Sequence, residues 1–547
     1  MKRITISVLV LLTTMASWAG EFPVNIRQFI DYTTPSMHYE IDNESLYSWN
    51  VLQRFYLKRI YTPAWIDDST LGNNGYVLLN YIRQVDRQGL QPTDYHLHLI
   101  EKYVDKIVPF IPMDNDDMMK LDVLLTDAFM LLGFQLYYGK VDPEKEGANW
   151  KMQRKEPEMQ LDLKLEEALA ANDVANSLNL LAPHDRSYWM MKDELAFFLV
   201  LSGQPWPAIR SDTSIKPGEI NQLLPKIRER LMKLRYQLCD SLSIIYDEEL
   251  EKQVQLFQAD WGLNSDGVIG KGTLEALNNK PDKLIDQLKV NMERLRWLPL
   301  KVTEKYIIIN IANFELDLIE GEDTLVSMRA IVGKNYRETP VFNERMTYIV
   351  FNPTWTVPPT ILQNDVIPEL LKGPEYLVKK NMKLLRQDGL EIAYGDIDWS
   401  KISKNNFPYM VRQGSGPENA LGRVKFMFPN MYDIYIHDTP SRGYFARDDR
   451  AISSGCVRVE KPFELAVLLL SDIPEWSPAK IRSAMHQETE QTVRLRKPVD
   501  VVLIYLTAWT DGNGRIQFRK DVYHRDEMVS KALNQKPETG KFNIIPF

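Results

Sequence analysis

The spacing of apolar residues changes near Tyr306, and this change constrains the fold more than any other feature of the chain. Upstream, apolar residues recur every three or four positions, and the dense run over 121–134 is typical of a buried helix. Downstream, apolar and polar residues alternate, as over 314–318 and 326–332, which indicates half-buried strands. The sequence therefore predicts a multidomain α+β protein with its helices first and its sheet last.

The upstream part divides into two helical units. Further helical spacing, interrupted by prolines, continues to about residue 240 and predicts a helical domain over 20–240. A shorter unit follows, in which the apolar residues from Leu250 to Trp261 share one helix face before a turn at Gly267, so we expect a small helical module over 241–285. The helical segments predicted in the larger domain are 121–134, 160–172, 186–202 and 219–240.

The downstream part is predicted to form one β-rich domain over 300–526, followed by a C-terminal tail over 527–547. A charged stretch with helical spacing, residues 360–412, interrupts the strands. It is too long for a simple connection between strands, and long insertions beside a site often act as lids. We therefore expect an insertion that can cover a site.

The N-terminus has the pattern of a secretory signal peptide. Lys2 and Arg3 precede an apolar run over 4–15, and small residues stand at the −3 and −1 positions of a cleavage site after Ala19. We predict that residues 1–19 direct export and are removed. An uncleaved membrane anchor is the alternative, although the run is shorter than the ~20 residues that span a bilayer.

The composition of the chain argues against nucleic acids as partners. A net charge of −8 and a pI near 5.6 argue against nucleic-acid binding, and no nucleotide motif or cofactor motif is present.

The chain has two cysteines, Cys239 and Cys456, which could form a disulfide after export. Cys239 lies in a helical pattern and is predicted to be a small buried residue.

Cys456 lies in a context that suits nucleophilic catalysis. Residues 431–437 are predicted to form a strand with Tyr435 and His437 on the same side, and Cys456 follows His437 by nineteen residues. A thiol attacks a carbonyl as its thiolate, so a base or nearby positive charge should lower its pKa. The small residues up to Gly455 allow a turn whose N–H groups stabilise an oxyanion. The cations near this segment in sequence are Arg442, Arg447, Arg450, Arg458 and Lys461.

These segments resemble the catalytic signature of L,D-transpeptidases with a YkuD-type domain. The resemblance lies in His-Asp-Thr at 437–439 and Ser-Ser-Gly-Cys-Val-Arg at 453–458. One departure is Ser454, where the family usually has a second histidine. Further matching segments are Gly333-Lys334 with Thr339-Pro340, Asn352-Pro353-Thr354-Trp355, Gly416 to Phe426, and Tyr505 to Trp509.

The resemblance implies roles for individual residues. Cys456 is the expected nucleophile, His437 the general base and acid, and the backbone at Gly455 part of the oxyanion hole, with Ser454 in a supporting role. A backbone carbonyl usually orients the imidazole in this family. The expected substrate contacts are Arg458, Tyr435 and Trp355, and a structural salt bridge is the alternative role for Arg458.

The resemblance extends upstream of the catalytic domain. Residues 256–273 resemble a helical peptidoglycan-binding module, and 89–95, 139–143 and 291–299 resemble large, YcbB-like periplasmic L,D-transpeptidases. In that subfamily the insertion is a lid over the substrate, so 360–412 is expected to be one, with a purely structural insertion as the alternative. Its aromatic residues include Tyr376, Tyr394, Trp399 and Tyr409.

The expected reaction joins two peptidoglycan stems in the periplasm. A donor tetrapeptide forms a thioester with the cysteine, and the side-chain amine of a second stem resolves it as a 3→3 cross-link. The module would bind glycan strands, other wall-synthesis proteins could be partners, and no cofactor is expected. Alternatives are an L,D-carboxypeptidase, tethering of a lipoprotein, and a non-catalytic peptidoglycan-binding scaffold.

Polar residues of the chain allow three other arrangements. Asp438 could complete a catalytic triad, but neighbouring residues at a strand end point to opposite sides. Ser453 or Ser454 could be the nucleophile, although a neutral hydroxyl is weaker than a thiolate. His96 and His98 alternate on one face and could bind zinc, but no other ligand spacing accompanies them, so no metal site is predicted.

Overall fold

The computed structural model describes residues 22–32, 39–67, 70–108, 111, 113–144, 149–152, 155, 159–298 and 302–538. The predicted signal peptide and the last nine residues of the predicted tail lie outside this part of the chain. Among the described residues, no helix is both long and apolar enough to cross a bilayer.

The first part of the chain is helical, as predicted, with two short ribbons of strand pairs. Its helices are α1 (Phe22–Tyr32), α2 (Trp49–Lys58), α3 (Asn73–Arg83), α4 (Leu97–Val104), α5 (Asn115–Tyr138), α6 (Leu161–Ala171), α7 (Val174–Asn179) and α8 (Arg186–Ser202). The ribbons pair β1 (Glu40–Ile41) with β2 (Glu44–Ser45), and β3 (Ile66–Asp67) with β4 (Thr70–Leu71).

Helix α5 is the centre of this part. It begins at Asp114, whose carboxylate accepts from the N–H groups of Asp116 and Asp117, and it is buried on nearly all sides from Met118 to Leu136. The helices predicted over 121–134, 160–172 and 186–202 are confirmed as α5, α6 and α8.

The prediction of a helix over 219–240 was wrong at both ends. The observed helix α9 covers Leu224–Lys233, and the chain leaves it through Arg235, whose φ of 67° is left-handed. Cys239 therefore lies outside any helix and is exposed, which contradicts its predicted burial. Both cysteines are free thiols, so the alternative of a disulfide is wrong.

A second hydrophobic core belongs to the small module. It contains residues from Ile209 to Leu277 and so draws on both sides of the predicted boundary at 240/241. Its helices are α9, α10 (Glu248–Asp260) and α11 (Lys271–Leu277), and helix α12 (Pro281–Trp297) follows it. Leu250, Val254 and Phe257 are fully buried, as their shared helix face predicts.

The half of the chain predicted to be catalytic, residues 302–538, is built on a nine-stranded mixed sheet in the order β15-β7-β16-β14-β13-β8-β17-β5-β6, with β6 also paired to β7. The extra pairing curls the sheet into a barrel-like form. Its strands are β5 (Lys305–Asn310), β6 (Glu315–Glu320), β7 (Asp323–Gly333), β8 (Phe342–Phe351), β13 (Val424–Met427), β14 (Ile436–His437), β15 (Ala451–Ser453), β16 (Val457–Val459) and β17 (Gln491–Ile504). A hairpin of β18 (Ala508–Thr510) and β19 (Ile516–Phe518) and the helices α16 (Pro462–Leu469), α17 (Pro478–Met485) and α18 (Asp526–Leu533) complete it.

The insertion within this sheet has its own small core and is less helical than predicted. A four-stranded sheet in the order β11-β10-β12-β9 covers short helices, because alternating residues such as Met382 and Leu384 pack inward. Its elements are β9 (Trp355–Thr356), α13 (Pro359–Ile361), a π-helical turn (Leu362–Val366), α14 (Ile367–Leu370), α15 (Glu375–Lys379), β10 (Met382–Leu385), β11 (Glu391–Ile392) and β12 (Met410–Gln413).

Buried polar contacts join the module to the catalytic half. Asp260, the last residue of α10, accepts hydrogen bonds from Arg515 Nε and Gln517 Nε2, both at 3.2 Å, on the β18–β19 hairpin. Trp261 packs on Phe518 of the same hairpin, with ring centroids 4.9 Å apart. The module is therefore held against the predicted catalytic half by a charged contact and an aromatic one.

Candidate active site

Two adjacent parallel strands bring the histidine and the cysteine together. Strands β14 and β16 pair with Ile436 opposite Val457 and His437 opposite Arg458, so Cys456 lies one residue before its strand begins. The predicted strand over 431–437 was too long, because regular pairing covers only Ile436–His437. The carbonyl of Tyr435 still accepts from Val457 N at 3.1 Å, which keeps Tyr435 beside the cysteine segment.

The imidazole of His437 is held in one tautomer. Its Nδ1 lies 2.6 Å from the backbone carbonyl of Asp438, so Nδ1 carries the proton and Nε2 is left as an acceptor. Burial lowers the pKa of His437 to about 3, and the positive charges of Arg458 and Lys425 act in the same direction. The imidazole is therefore neutral at ordinary pH and able to accept a proton.

The alternative of Asp438 as a triad acid is wrong. Its carboxylate accepts from Arg423 N at 2.9 Å and from Arg442 Nη1 at 3.1 Å, while only its backbone carbonyl contacts the imidazole. The side chain thus points away from the ring, as expected for neighbouring residues at a strand end.

The thiol of Cys456 is partly exposed, but its pKa is not lowered as expected. Burial raises the pKa of Cys456 to about 11, although hydrogen bonds with Tyr435 and the charge of Arg458 oppose this effect. Other nearby cations have partners elsewhere: Arg442 binds Asp438 and Lys461 Nζ donates to the carbonyl of Ser327 at 2.8 Å. The resting site therefore holds a neutral thiol, whose Sγ donates to the carbonyl of Asp433 at 3.6 Å, and a neutral imidazole on the neighbouring strand.

Ser453 shapes the turn before the cysteine. Its buried hydroxyl donates to the carbonyl of Cys456 at 2.7 Å and accepts from Gly455 N at 3.1 Å. Gly455 has a φ of 116°, which a residue with a side chain rarely adopts. Ser453 is thus engaged in the backbone turn, which argues against it as a nucleophile.

The turn engages one candidate oxyanion donor and leaves another available. Gly455 N donates to Ser453 Oγ, so its predicted role in an oxyanion hole requires that this hydrogen bond open. The N–H of Cys456 donates to no acceptor within the described part of the chain and is free to meet an oxyanion.

Of the two aromatic residues predicted from the resemblance, Tyr435 lies at the thiol and Trp355 lies beside Tyr435. The ring of Tyr435 lies 5.6 Å from the imidazole of His437, between centroids, and its hydroxyl hydrogen-bonds with the side chains of Cys456 and Trp355. Burial raises the pKa of Tyr435 well above its ordinary value, so this hydroxyl remains neutral. Tyr435 therefore borders the space that a substrate at Cys456 would enter, and Trp355 contacts Tyr435.

The guanidinium of Arg458 is available to contact a substrate. It is opposite His437 in the strand pairing, and its Nε is buried with no hydrogen-bond partner in the described residues. No carboxylate of the described chain forms a salt bridge with it, which argues against the alternative of a structural ion pair. An unpartnered buried donor of this kind is costly unless a ligand meets it.

Two further residues were missed by the sequence analysis although they lie in a segment that it used. Thr339 Oγ1 accepts from Gly333 N at 2.9 Å and donates to the carbonyl of Gly455 at 2.7 Å. Arg337 Nη1 donates to Ser454 Oγ at 2.9 Å. The match around Gly333-Lys334 and Thr339-Pro340 marked this loop as important, but not its contact with the cysteine turn.

No group of three or more metal-ligating side chains occurs in the described ranges. The histidine considered for zinc, His96, instead binds two carboxylates, with Nε2 2.8 Å from Asp127 and Nδ1 2.8 Å from Glu44. Burial alone would lower the pKa of His96, but these carboxylates raise it to about 9. The arrangement is a buried ion pair within the helical domain.

A large cavity of about 1290 Å³ lies away from the cysteine, between the module and the catalytic half. Side chains from both sides line it, including Trp261 and Asn264 of the module and Phe314 and Arg519 of the catalytic half. Neither Cys456 nor His437 takes part in it.

Comparison with protein families divides the chain as the fold does. Residues 50–195 match a scaffold domain, 222–277 a peptidoglycan binding domain, and 304–495 the L,D-transpeptidase catalytic domain YkuD. The last match contains both His437 and Cys456.

Individual proteins similar to this chain are also named L,D-transpeptidases. An L,D-transpeptidase of Haemophilus influenzae is 36% identical over 254 residues, which are 46% of this chain and 51% of the relative, so the chain spans about half the length of that protein. Solved L,D-transpeptidases from Mycobacterium smegmatis and Xylanimonas cellulosilytica are 12% and 15% identical. They cover 37% and 54% of this chain and 58% and 100% of their own, with TM-scores of 0.19 and 0.17, too low to indicate a shared overall arrangement.

Proposed function

We propose that the domain over 304–495, which matches the YkuD-type L,D-transpeptidase catalytic domain, forms 3→3 cross-links between peptidoglycan stems through a Cys456 thioester. The observation that carries the proposal is the neutral imidazole of His437. Its Nδ1 is bound to a backbone carbonyl, its acceptor Nε2 remains available, and the partly exposed thiol of Cys456 lies just before the neighbouring strand. A cysteine nucleophile needs such a neutral acceptor as its base.

In the first half-reaction, the thiol proton moves to His437 Nε2 as sulfur bonds to the carbonyl carbon of the third residue of the donor stem. The oxyanion that forms accepts a hydrogen bond from Cys456 N. The C–N bond to the terminal D-amino acid then breaks, and the leaving amine takes the proton back from His437. A thioester and a free D-amino acid result.

In the second half-reaction, the side-chain amine of another stem attacks the thioester carbonyl. His437 accepts a proton from that amine, the C–S bond breaks, and the sulfur recovers a proton from the imidazole. The enzyme returns to its resting form, and a new amide bond joins the two stems.

The raised thiol pKa affects the order of these events. Because burial favours the uncharged forms of both Cys456 and His437, a standing thiolate–imidazolium pair is disfavoured in the empty site. We infer that the proton moves only as the donor carbonyl is attacked. Arg458, with its unpartnered Nε, is the proposed contact to a carboxylate or carbonyl of the donor.

The other parts of the chain suit a wall enzyme. The peptidoglycan binding domain at 222–277 is the proposed contact with glycan strands, and the insertion at 360–412 is the proposed lid over the donor. A lid that excludes water would protect the thioester until the amine arrives. Export to the periplasm, through the predicted signal peptide at 1–19, would bring the enzyme to this substrate.

The test is analysis of muropeptides after incubating the purified protein with tetrapeptide-rich sacculi. We expect 3→3 dimers and released D-amino acid with the wild type, and neither with Cys456→Ala. Tripeptides without dimers would indicate a carboxypeptidase, and binding without any new product would indicate a scaffold. Transfer only to a lipoprotein amine would identify the tethering activity instead.

A further inference from the structure

Arg337 links the cysteine turn to the insertion. A single nitrogen of its guanidinium, Nη1, lies 2.9 Å from Ser454 Oγ and 2.8 Å from Asp365 Oδ2. The side chain of Arg337 is only 11% exposed, so it is held between the two segments rather than free in solvent.

The two partners belong to different bodies of the fold. Ser454 lies two residues before Cys456, in the turn shaped by Ser453. Asp365 lies in the π-helical turn of the insertion, next to Val366, which is buried in the insertion's own core. Single π-turns within helices occur frequently at functional sites.

The loop that carries Arg337 is fixed to the cysteine turn and not to the insertion. Lys334 N donates to the carbonyl of Ser453 at 3.1 Å, and Thr339 bonds to Gly455. A Cβ on Gly333 would lie 2.0 Å from the carbonyl oxygen of Arg337, so the loop folds tightly on itself. Arg337 is thus a rigid extension of the site that reaches the insertion.

The contact with the insertion is the weaker side of this link. Asp365 is 52% exposed, and half-exposed ion pairs stabilise a structure only slightly because water competes for both charges. The contact can therefore open and close without unfolding the insertion, whose core residues Val366 and Leu370 do not depend on it.

We infer that Arg337 is a positioning residue that ties the insertion to the cysteine turn. Closure of the insertion over a donor and the placing of Ser454 beside Cys456 are then a single event. The inference deepens the proposed function and rests on it for the role of the insertion as a lid. It also connects Ser454, which stands where the family usually has histidine, to the carboxylate of Asp365 through the guanidinium of Arg337.

Two measurements that need no transpeptidation test the link. Hydrogen exchange of residues 359–371 reports opening of the insertion, and mass spectrometry of the Cys456 peptide after iodoacetamide treatment reports the thiol. We expect Asp365→Ala and Arg337→Ala each to raise exchange about two- to five-fold, with faster alkylation. The double variant should match Arg337→Ala, because that substitution alone already removes the contact with Asp365, together with the 3.5 Å contact between Nη2 and the carbonyl of Thr360.

Matched variants separate this link from a general structural effect. Lys383 and Glu391 form a second ion pair of the insertion, at 2.8 Å and more exposed, so Glu391→Ala should change neither exchange nor alkylation. Arg337→Lys keeps the charge and should recover part of the closure. Thermal melting should show that every variant is folded.

The activity readout is the ratio of 3→3 dimers to tripeptides, which should fall in Asp365→Ala while Glu391→Ala retains it. Exchange equal to that of the wild type, or additive effects in the double variant, would overturn the link. If the wild type makes no cross-links but exchange and alkylation respond as expected, the proposed function fails and the link stands.

Discussion

Thr339→Val tests how the cysteine turn is held in place. The substitution keeps the shape of a fully buried side chain but removes its hydroxyl, which is the partner of both Gly333 N and the carbonyl of Gly455. Each buried backbone group left unpaired costs about 1–3 kcal/mol, so the loss should be roughly 2–6 kcal/mol. For a domain of this size, that lowers the melting temperature by at least about 4 °C.

The matched control is Thr339→Ser, which keeps the hydroxyl and removes one methyl group, at a cost of about 1 kcal/mol. Melting followed by circular dichroism gives the stability, and alkylation of the Cys456 peptide gives the thiol's environment. We expect the valine variant to melt lower than the serine variant and to show altered alkylation. Equal melting of the two, or lower melting with unchanged alkylation, would refute the positioning role of Thr339.

Four other predictions concern the thiol and two histidines. Cys456→Ala should abolish product formation and Cys239→Ala should not, as scored by muropeptide analysis; loss in both would contradict the free thiols. Carbapenems should add one drug mass to the Cys456 peptide and ordinary penicillins little, and an adduct elsewhere would contradict the nucleophile. Because the pKa of His437 is lowered to about 3, acylation by a carbapenem should not fall as pH drops from 7.5 to 5.5; a midpoint near 6.5 would contradict this. The pKa of His96 is raised to about 9, so its stabilisation is complete below about 6.5 and lost as pH rises through 9; melting should fall over that range less in His96→Gln than in the wild type.

Sequence patterns predicted the parts of the fold that depend on local spacing. The helices over 161–171 and 186–202 and the sheet after residue 305 follow from the periodicity of apolar residues. The insertion was harder to predict, because its strands are two to four residues long and charged on one face, so their alternation is too short to detect.

The residues of the site could be predicted only where they belong to a sequence motif. His437 and Cys456 stand in such a motif, and the fold places them on neighbouring strands. The raised thiol pKa, the occupied N–H of Gly455 and the contact between Arg337 and Asp365 depend on burial and on segments distant in sequence. Spacing carries no information about such contacts.

The Asp260 contact with Arg515 and Gln517 has a mechanical consequence. A binding module on a flexible linker samples a wide volume, and its benefit falls as the linker lengthens. Here these contacts hold the module against the hairpin of the catalytic domain. A glycan strand bound by the module would therefore present its stem peptides at a fixed distance from the sulfur of Cys456. The fixed distance between the binding module and Cys456 would then determine which stems along a strand are joined.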